Sequence, residues 1–88
     1  MQLLHVTEGW EGRAIPCPPA GFIHLCTVEQ LAFVLRRHFA GRSGLVVLRI
    51  EPAGLDVRWE TSEPGMPPFP HLYGELPPSA VQAVSPAP

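Results

Sequence analysis

Gly21-Phe22-Ile23-His24-Leu25-Cys26-Thr27-Val28-Glu29-Gln30 changes its periodicity in mid-run, and that change decides the fold class. Phe22 to Leu25 reads as a short apolar strand. Thr27-Val28-Glu29-Gln30 then spells a capping box, in which the threonine hydroxyl accepts from the amide three residues on while the glutamine side chain reaches back. The helix is expected from Val28 to about Ala40, with Gly41 as its stop. Val28, Leu31, Ala32, Val34, Leu35 and Phe39 fall on one broad stripe opposite Glu29, Arg36 and Arg37, the pattern of a helix packed on a sheet. Phe33 lies off the stripe and is expected to cover a second cluster. His38 flanks it near the C-terminal end, where the dipole favours a protonated ring, and reads as structural.

Outward from this run the chain alternates short strands with proline-rich connections. Leu3 to Val6 reads as a first strand, and Thr7 as the cap of a short helical turn that carries Trp10 into the core. Cys17 sits among Pro16, Pro18 and Pro19, whose rings fix the backbone and remove donors, so this stretch is an irregular connection. Leu45 to Ile50 is nearly continuous in apolar residues, as a central strand should be. Pro52-Ala53-Gly54 is a turn, and Leu55 to Trp59 alternates, with Leu55, Val57 and Trp59 on one face. Thr61 to Pro68 is a loop able to act as a flap, and Val81 to Val84 a last strand. The expectation is an α+β fold, a compact single domain of small packed β-sheets with one main helix. It spans residues 1-84, followed by a flexible C-terminal tail over 85-88.

Eighty-eight residues permit one domain, burying roughly 60–65% of the surface that an unfolded chain exposes. Apolar residues make up 45% and charged residues 16%, a thin supply of surface charge that fits association with a partner or a second copy. A net charge of −2 disfavours binding to nucleic-acid backbones, beyond a local patch at Arg36, Arg37 and Arg42. No stretch approaches the roughly 20 apolar residues of a membrane span, and the start lacks a secretory pattern, so a cytoplasmic location is expected. Cys17 and Cys26 then read as free thiols.

Candidate chemistry concentrates in two places, the run above and Phe69-Pro70-His71-Leu72-Tyr73-Gly74. Each sets a histidine among apolar or aromatic neighbours, where an imidazole can be held in one tautomer and used as base, acid or hydrogen-bonding group. A metal site is one reading, because His24 and Cys26 are two apart and project to one face, with Cys17 or His71 able to complete a tetrahedral set. A protein or peptide interaction module is another, using an exposed edge and the Met66 to Phe69 loop. Packing also explains each residue singly: His24 bonding a buried carbonyl, His71 fixing its loop, Trp59 and Tyr73 in the core. There is no Ser-His-Asp ordering, phosphate-cradling Gly-rich loop or dinucleotide fingerprint.

Trp10, the Gly21 to Thr27 segment with Gln30 after it, the Arg58-Trp59-Glu60 triplet and Phe69 to Gly74 together resemble the small bacterial proteins called domain of unknown function 952. The resemblance covers almost the whole chain. It implies a domain similar in fold to the ADP-ribosyltransferases, with two small sheets packed across a cleft that can hold a nicotinamide dinucleotide. On that footing a nucleotide or NAD-like ligand is expected, with transferase-like chemistry as an extension of binding, and no metal. His24, His71 and Glu60 are the expected catalytic residues, Glu60 orienting a nucleophile or stabilising an oxocarbenium-like centre. Thr27, Gln30, Trp59, Phe69 and Tyr73 are the expected ligand-binding residues, Tyr73 offering a ring for stacking and Thr27 a helix N-terminus for a phosphate.

Overall fold

The computed structural model describes residues 2–88. Six strands form two antiparallel three-stranded sheets. In the first, β1 (Leu3–Thr7) and β6 (Val81–Pro86) flank β3 (Val46–Ile50). In the second, β2 (Ile23–His24) and β4 (Val57–Glu60) flank β5 (Phe69–Leu72). The helix α1 (Leu31–His38) and a 3-10 turn at Pro78–Ala80 complete the fold. This is the expected α+β domain of small packed sheets and one helix.

Period-2 alternation divides the first sheet between two cores. Leu3, Leu48 and Ile50 pack with Ile23, Leu25, Leu72 and Leu76, closing the space between the sheets. Leu4, Val6 and Val47 point the other way and, with Cys26, receive Leu31, Val34, Leu35 and Phe39 of the helix. Between these layers the chain itself ties the sheets together. After β2 it leaves β5 and exchanges two backbone hydrogen bonds with the first sheet, Leu4 N–H to Cys26 O and Cys26 N–H to Leu4 O, both 2.8 Å. The switch has a chemical cause: Leu25 N–H donates to Pro70 O at 3.0 Å, but Pro70 has no N–H to return, so ladder pairing of β2 with β5 ends.

The capping box forms as read, with Thr27 N–H to Gln30 Oε1 at 3.1 Å and Gln30 N–H to Thr27 Oγ1 at 3.2 Å. It closes a 3-10-type turn, however: Gln30 N–H and Leu31 N–H bond the carbonyls of Thr27 and Val28, three residues back. The first α-type bond is Val34 N–H to Gln30 O, so the helix begins at Leu31 rather than Val28. The tighter turn takes Val28 off the stripe, 63% exposed, and Ala32 is exposed as well. At the other end Gly41 takes a positive φ of 77° just beyond the helix, as a stop should.

Two further expectations are corrected. No helical turn follows Thr7, which remains in β1 paired with Val46 while Gly9 N–H turns back to its carbonyl. Trp10 still packs on the core, its indole N–H donating to Arg13 O at 2.8 Å. At the C-terminus the chain stays bound past Val84: Ser85 and Pro86 pair with Val47 and Val46, and Ala87 N–H donates to Leu45 O at 3.0 Å. The open edge of β3 recruits residues that, read locally, look like a frayed tail. Among the described residues no helix is long and apolar enough to cross a membrane.

Candidate functional site

A cavity of about 620 Å3 opens between β1, the β2–β5 pair, helix α1 and the 61–68 loop. All four histidines of the chain line it, and so do all four phenylalanines. Antiparallel register sets His24 opposite His71, their rings edge to face with centroids 5.2 Å apart. Phe22, two residues before His24 and so on the same face of the strand, stacks on His71 at 4.0 Å and 17°. On the far side Phe33 meets Phe69 at 5.9 Å.

His71 is buried and held from behind. Its Nδ1 lies 2.8 Å from Glu60 Oε1, and the same oxygen accepts from the Tyr73 hydroxyl at 2.6 Å. These bonds, the Tyr73 one first, hold the Glu60 carboxyl below its usual range. The same contact with Glu60 pushes the Tyr73 hydroxyl up. Arg58, paired with Asp56 at 3.0 Å, lies over the Tyr73 ring at 4.2 Å. An ionised carboxylate only accepts, so His71 Nδ1 carries the hydrogen. Among the described residues no sealed side-chain nitrogen or oxygen lacks a partner, so Nε2, which has no protein partner, is open to the cavity.

His5, unassigned on sequence grounds, belongs to the same group. Its Nδ1 donates to the backbone carbonyl of His24 at 2.8 Å, and its ring lines the cavity. The signal available was a lone imidazole in an otherwise apolar strand, Leu3-Leu4-His5-Val6. Phe22 was equally legible from its two-residue spacing to His24.

Of the expected site residues, His24, His71 and Phe69 line the cavity, and Glu60 and Tyr73 stand behind His71. Thr27 and Gln30 are spent on the capping box, and Gln30 Nε2 also donates to Pro68 O at 3.0 Å. The Gln30 amide is thus occupied by Thr27, which leaves the Val28 and Glu29 amides as the donors of that turn not used in the box. Trp59 is 45% exposed and outside the cavity, because Arg58 and Glu60 take the strand face that turns to His71 and Tyr73. The loop that could act as a flap is anchored to the helix by Arg37 and Glu63 at 2.6 Å, and Met66 and Phe69 turn inward. That ion pair is exposed and contributes at most about 1 kcal/mol.

Among the described residues no three His, Cys, Asp or Glu side chains are gathered as a metal ion requires. Cys17 is exposed and Cys26 buried, and burial pushes the Cys26 thiol up to about 11. Ellman's reagent should therefore titrate one thiol in the native protein at pH 8 and two in denaturant. Two fast thiols in the native protein would contradict the burial of Cys26.

Acid should loosen this site before it reaches the carboxylates. Desolvation first, and for His24 its proximity to His71, His38 and His5, lower the folded-state values of His5 and His24 below 6.5. The unfolded chain then binds more protons, so their contribution is complete above pH 6.5 and falls away as pH drops through and below that value. Glu60, also lowered, adds a separate loss only below about 4.5. Urea midpoints should decline between pH 7.5 and 5.5, and His5→Asn, which keeps a donor near the His24 carbonyl, should flatten the slope. A midpoint independent of pH over that range would contradict this account.

No curated protein matches the chain. Its fold is similar to the crystal structure of protein CC0527 from Caulobacter crescentus, at 28% identity and a TM-score of 0.82, over 98% of this chain and 85% of that one. A double mutant of CC0527 gives the same values, 28%, 0.82, 98% and 85%. The model of the family described as Protein of unknown function (DUF952) matches residues 11–84, and with its two histidine segments inside that match the chain belongs to this family.

Proposed function

We propose that the cavity binds a nucleotide or a nicotinamide dinucleotide-like ligand, in a domain of ADP-ribosyltransferase-like architecture. The observation that carries the reading is the cross-strand pair His24 and His71 on one cavity, with His71 fixed by Glu60. A volume of about 620 Å3 lies within the roughly 300–1,000 Å3 of small-molecule sites. The rings of Phe22 and Phe69 offer faces for a planar base, the part expected of Trp59 and Tyr73. A dinucleotide of this kind supplies, when bound, a glycosidic bond with a stable leaving base. His71 Nε2, oriented through Nδ1 by Glu60, takes the proton of a hydroxyl or water directed at the sugar carbon, and His24 beside it binds or donates.

Oxidised NAD titrated into isotopically labelled protein should give saturable shifts at Phe22, His24, Phe69 and His71, weakened in His24→Ala and His71→Ala variants that keep their melting temperatures. No saturable shift at millimolar ligand would overturn the reading. A second reading, recognition of a protein partner, has the exposed Trp59 and Val84 in its favour. It predicts affinity for a partner that survives His24→Ala and is lost in Trp59→Ala.

A further inference from the structure

Hydrogen bonds to Nδ1 settle what two of the cavity's imidazoles can offer a ligand. His5 Nδ1 faces a backbone carbonyl, His24 O, at 2.8 Å. A carbonyl only accepts, so the hydrogen sits on Nδ1. His71 Nδ1 faces Glu60 Oε1 at 2.8 Å, and the carboxylate, held ionised by Tyr73 and His71 itself, also only accepts. In either ring, when it is neutral, the remaining nitrogen, Nε2, is then a bare lone pair. Neither Nε2 has a protein partner among the described residues, and neither is sealed. Both rings line the same cavity, joined through His24, whose carbonyl holds one and whose ring stands edge to face with the other. His24 has no such lock and can present either nitrogen.

We infer that the cavity selects its ligand through uncharged hydrogen-bond donors, such as the hydroxyls of a ribose diol or the NH2 of a carboxamide, received by the Nε2 atoms of His5 and His71. This rests on the ligand-binding reading above and narrows it. At neutral rings a phosphate or carboxylate oxygen set against these atoms meets lone pair with lone pair and carries an unpaired charge into an aromatic wall of Phe22 and Phe69. A ligand lacking the donors leaves two partly buried acceptors unpaired, the situation in which polar sites discriminate strongly. Anionic parts of a larger ligand are therefore directed away from the His5–His71 end.

Two measurements at pH 8 test this. Long-range proton–nitrogen spectra of the histidine rings report tautomers without any ligand, and should show Nδ1–H on His5 and His71 in the free protein. Calorimetric titration then compares nicotinamide with nicotinate, and adenosine with 2′,3′-dideoxyadenosine. The donor-bearing member of at least one pair should bind roughly tenfold or more tightly than its counterpart. His5→Asn should keep the melting temperature, because its amide can still donate to the His24 carbonyl, and lose that preference. An Nε2–H tautomer on either ring, or equal affinity within both pairs, would overturn the inference while leaving a base-binding cavity in place. If none of the four compounds binds at millimolar concentration, the nucleotide-binding reading falls, and this inference falls with it.

Discussion

Leu48→Ala should lower the stability of the domain by about 2–5 kcal/mol and its melting temperature by roughly 10 °C or more. Leu48 is fully buried at the centre of β3, the middle strand of the first sheet, between His5 on β1 and Val84 on β6. Its side chain lies in the core between the sheets with Leu3, Ile50, Ile23 and Leu72. Those neighbours are held by two ladders and cannot slide into the vacated space, so the cost is the lost transfer energy together with a persistent cavity. A domain of this size has about 5–10 kcal/mol in total, which makes this substitution a large fraction of it. Val84→Ala on the adjacent strand provides the comparison. Val84 is 49% exposed, and its loss should stay within about 0.5 kcal/mol. Urea denaturation of both variants checks the pair, and similar costs would contradict the contrast between the buried central strand and its exposed edge. His5 is Leu48's direct partner on β1, so the Leu48 variant should also broaden the His5 ring signals ahead of global unfolding.

What could be read from the chain divides along the range of the interactions involved. The capping box at Thr27 and Gln30, the apolar run at β3 and the glycine stop at Gly41 are local, governed by residues within a turn of one another, and each was legible. The boundary at Val28 was misread because the box closes a turn of three residues per repeat, and a stripe counted at 3.6 then starts from the wrong residue. Thr7 has the chemistry of a cap, but a partner 39 positions away, Val46, keeps it extended. Ser85 and Pro86 carry no strand signal and are ordered by an open edge that no local pattern reveals. For the site, the sequence named His24, His71, Glu60 and Tyr73 without saying that they meet. Register alone puts His24 opposite His71 and Arg58 opposite His71 on the other flank, which leaves Glu60 within reach of the ring. The same rule turns Trp59 away from the cavity, since its neighbours Arg58 and Glu60 take the face toward His71.

The Glu60 carboxylate is the point through which His71 and Tyr73 are coupled, and Glu60→Gln should be visible on both. Tyr73 is the chain's one tyrosine, so the ultraviolet titration of tyrosinate reads a single group. In the parent protein its midpoint should lie above 10, because removing the phenolic proton breaks a bond of 2.6 Å and places a negative oxygen against Glu60. The neutral amide of the variant removes that repulsion, while Arg58 at 4.2 Å from the ring still favours the phenolate, so the midpoint should fall toward 10. A Tyr73 value raised on folding stabilises the native state below pH 10 and loses that contribution as pH rises through the folded-state value, so the variant's stability should vary less across the alkaline range. On the other branch, the glutamine amide can donate as well as accept, and His71 Nδ1 is no longer obliged to carry the hydrogen. Ring spectra should then show His71 in mixed tautomers while His5, held by the His24 carbonyl, is unchanged. Ligand affinity that depends on the His71 lone pair should fall about tenfold in the same variant. A tyrosinate midpoint identical in parent and variant would mean that Glu60 does not hold Tyr73. An unchanged His71 tautomer would mean that something other than Glu60 sets it, and the dyad behind the cavity wall would have no part in what the cavity binds.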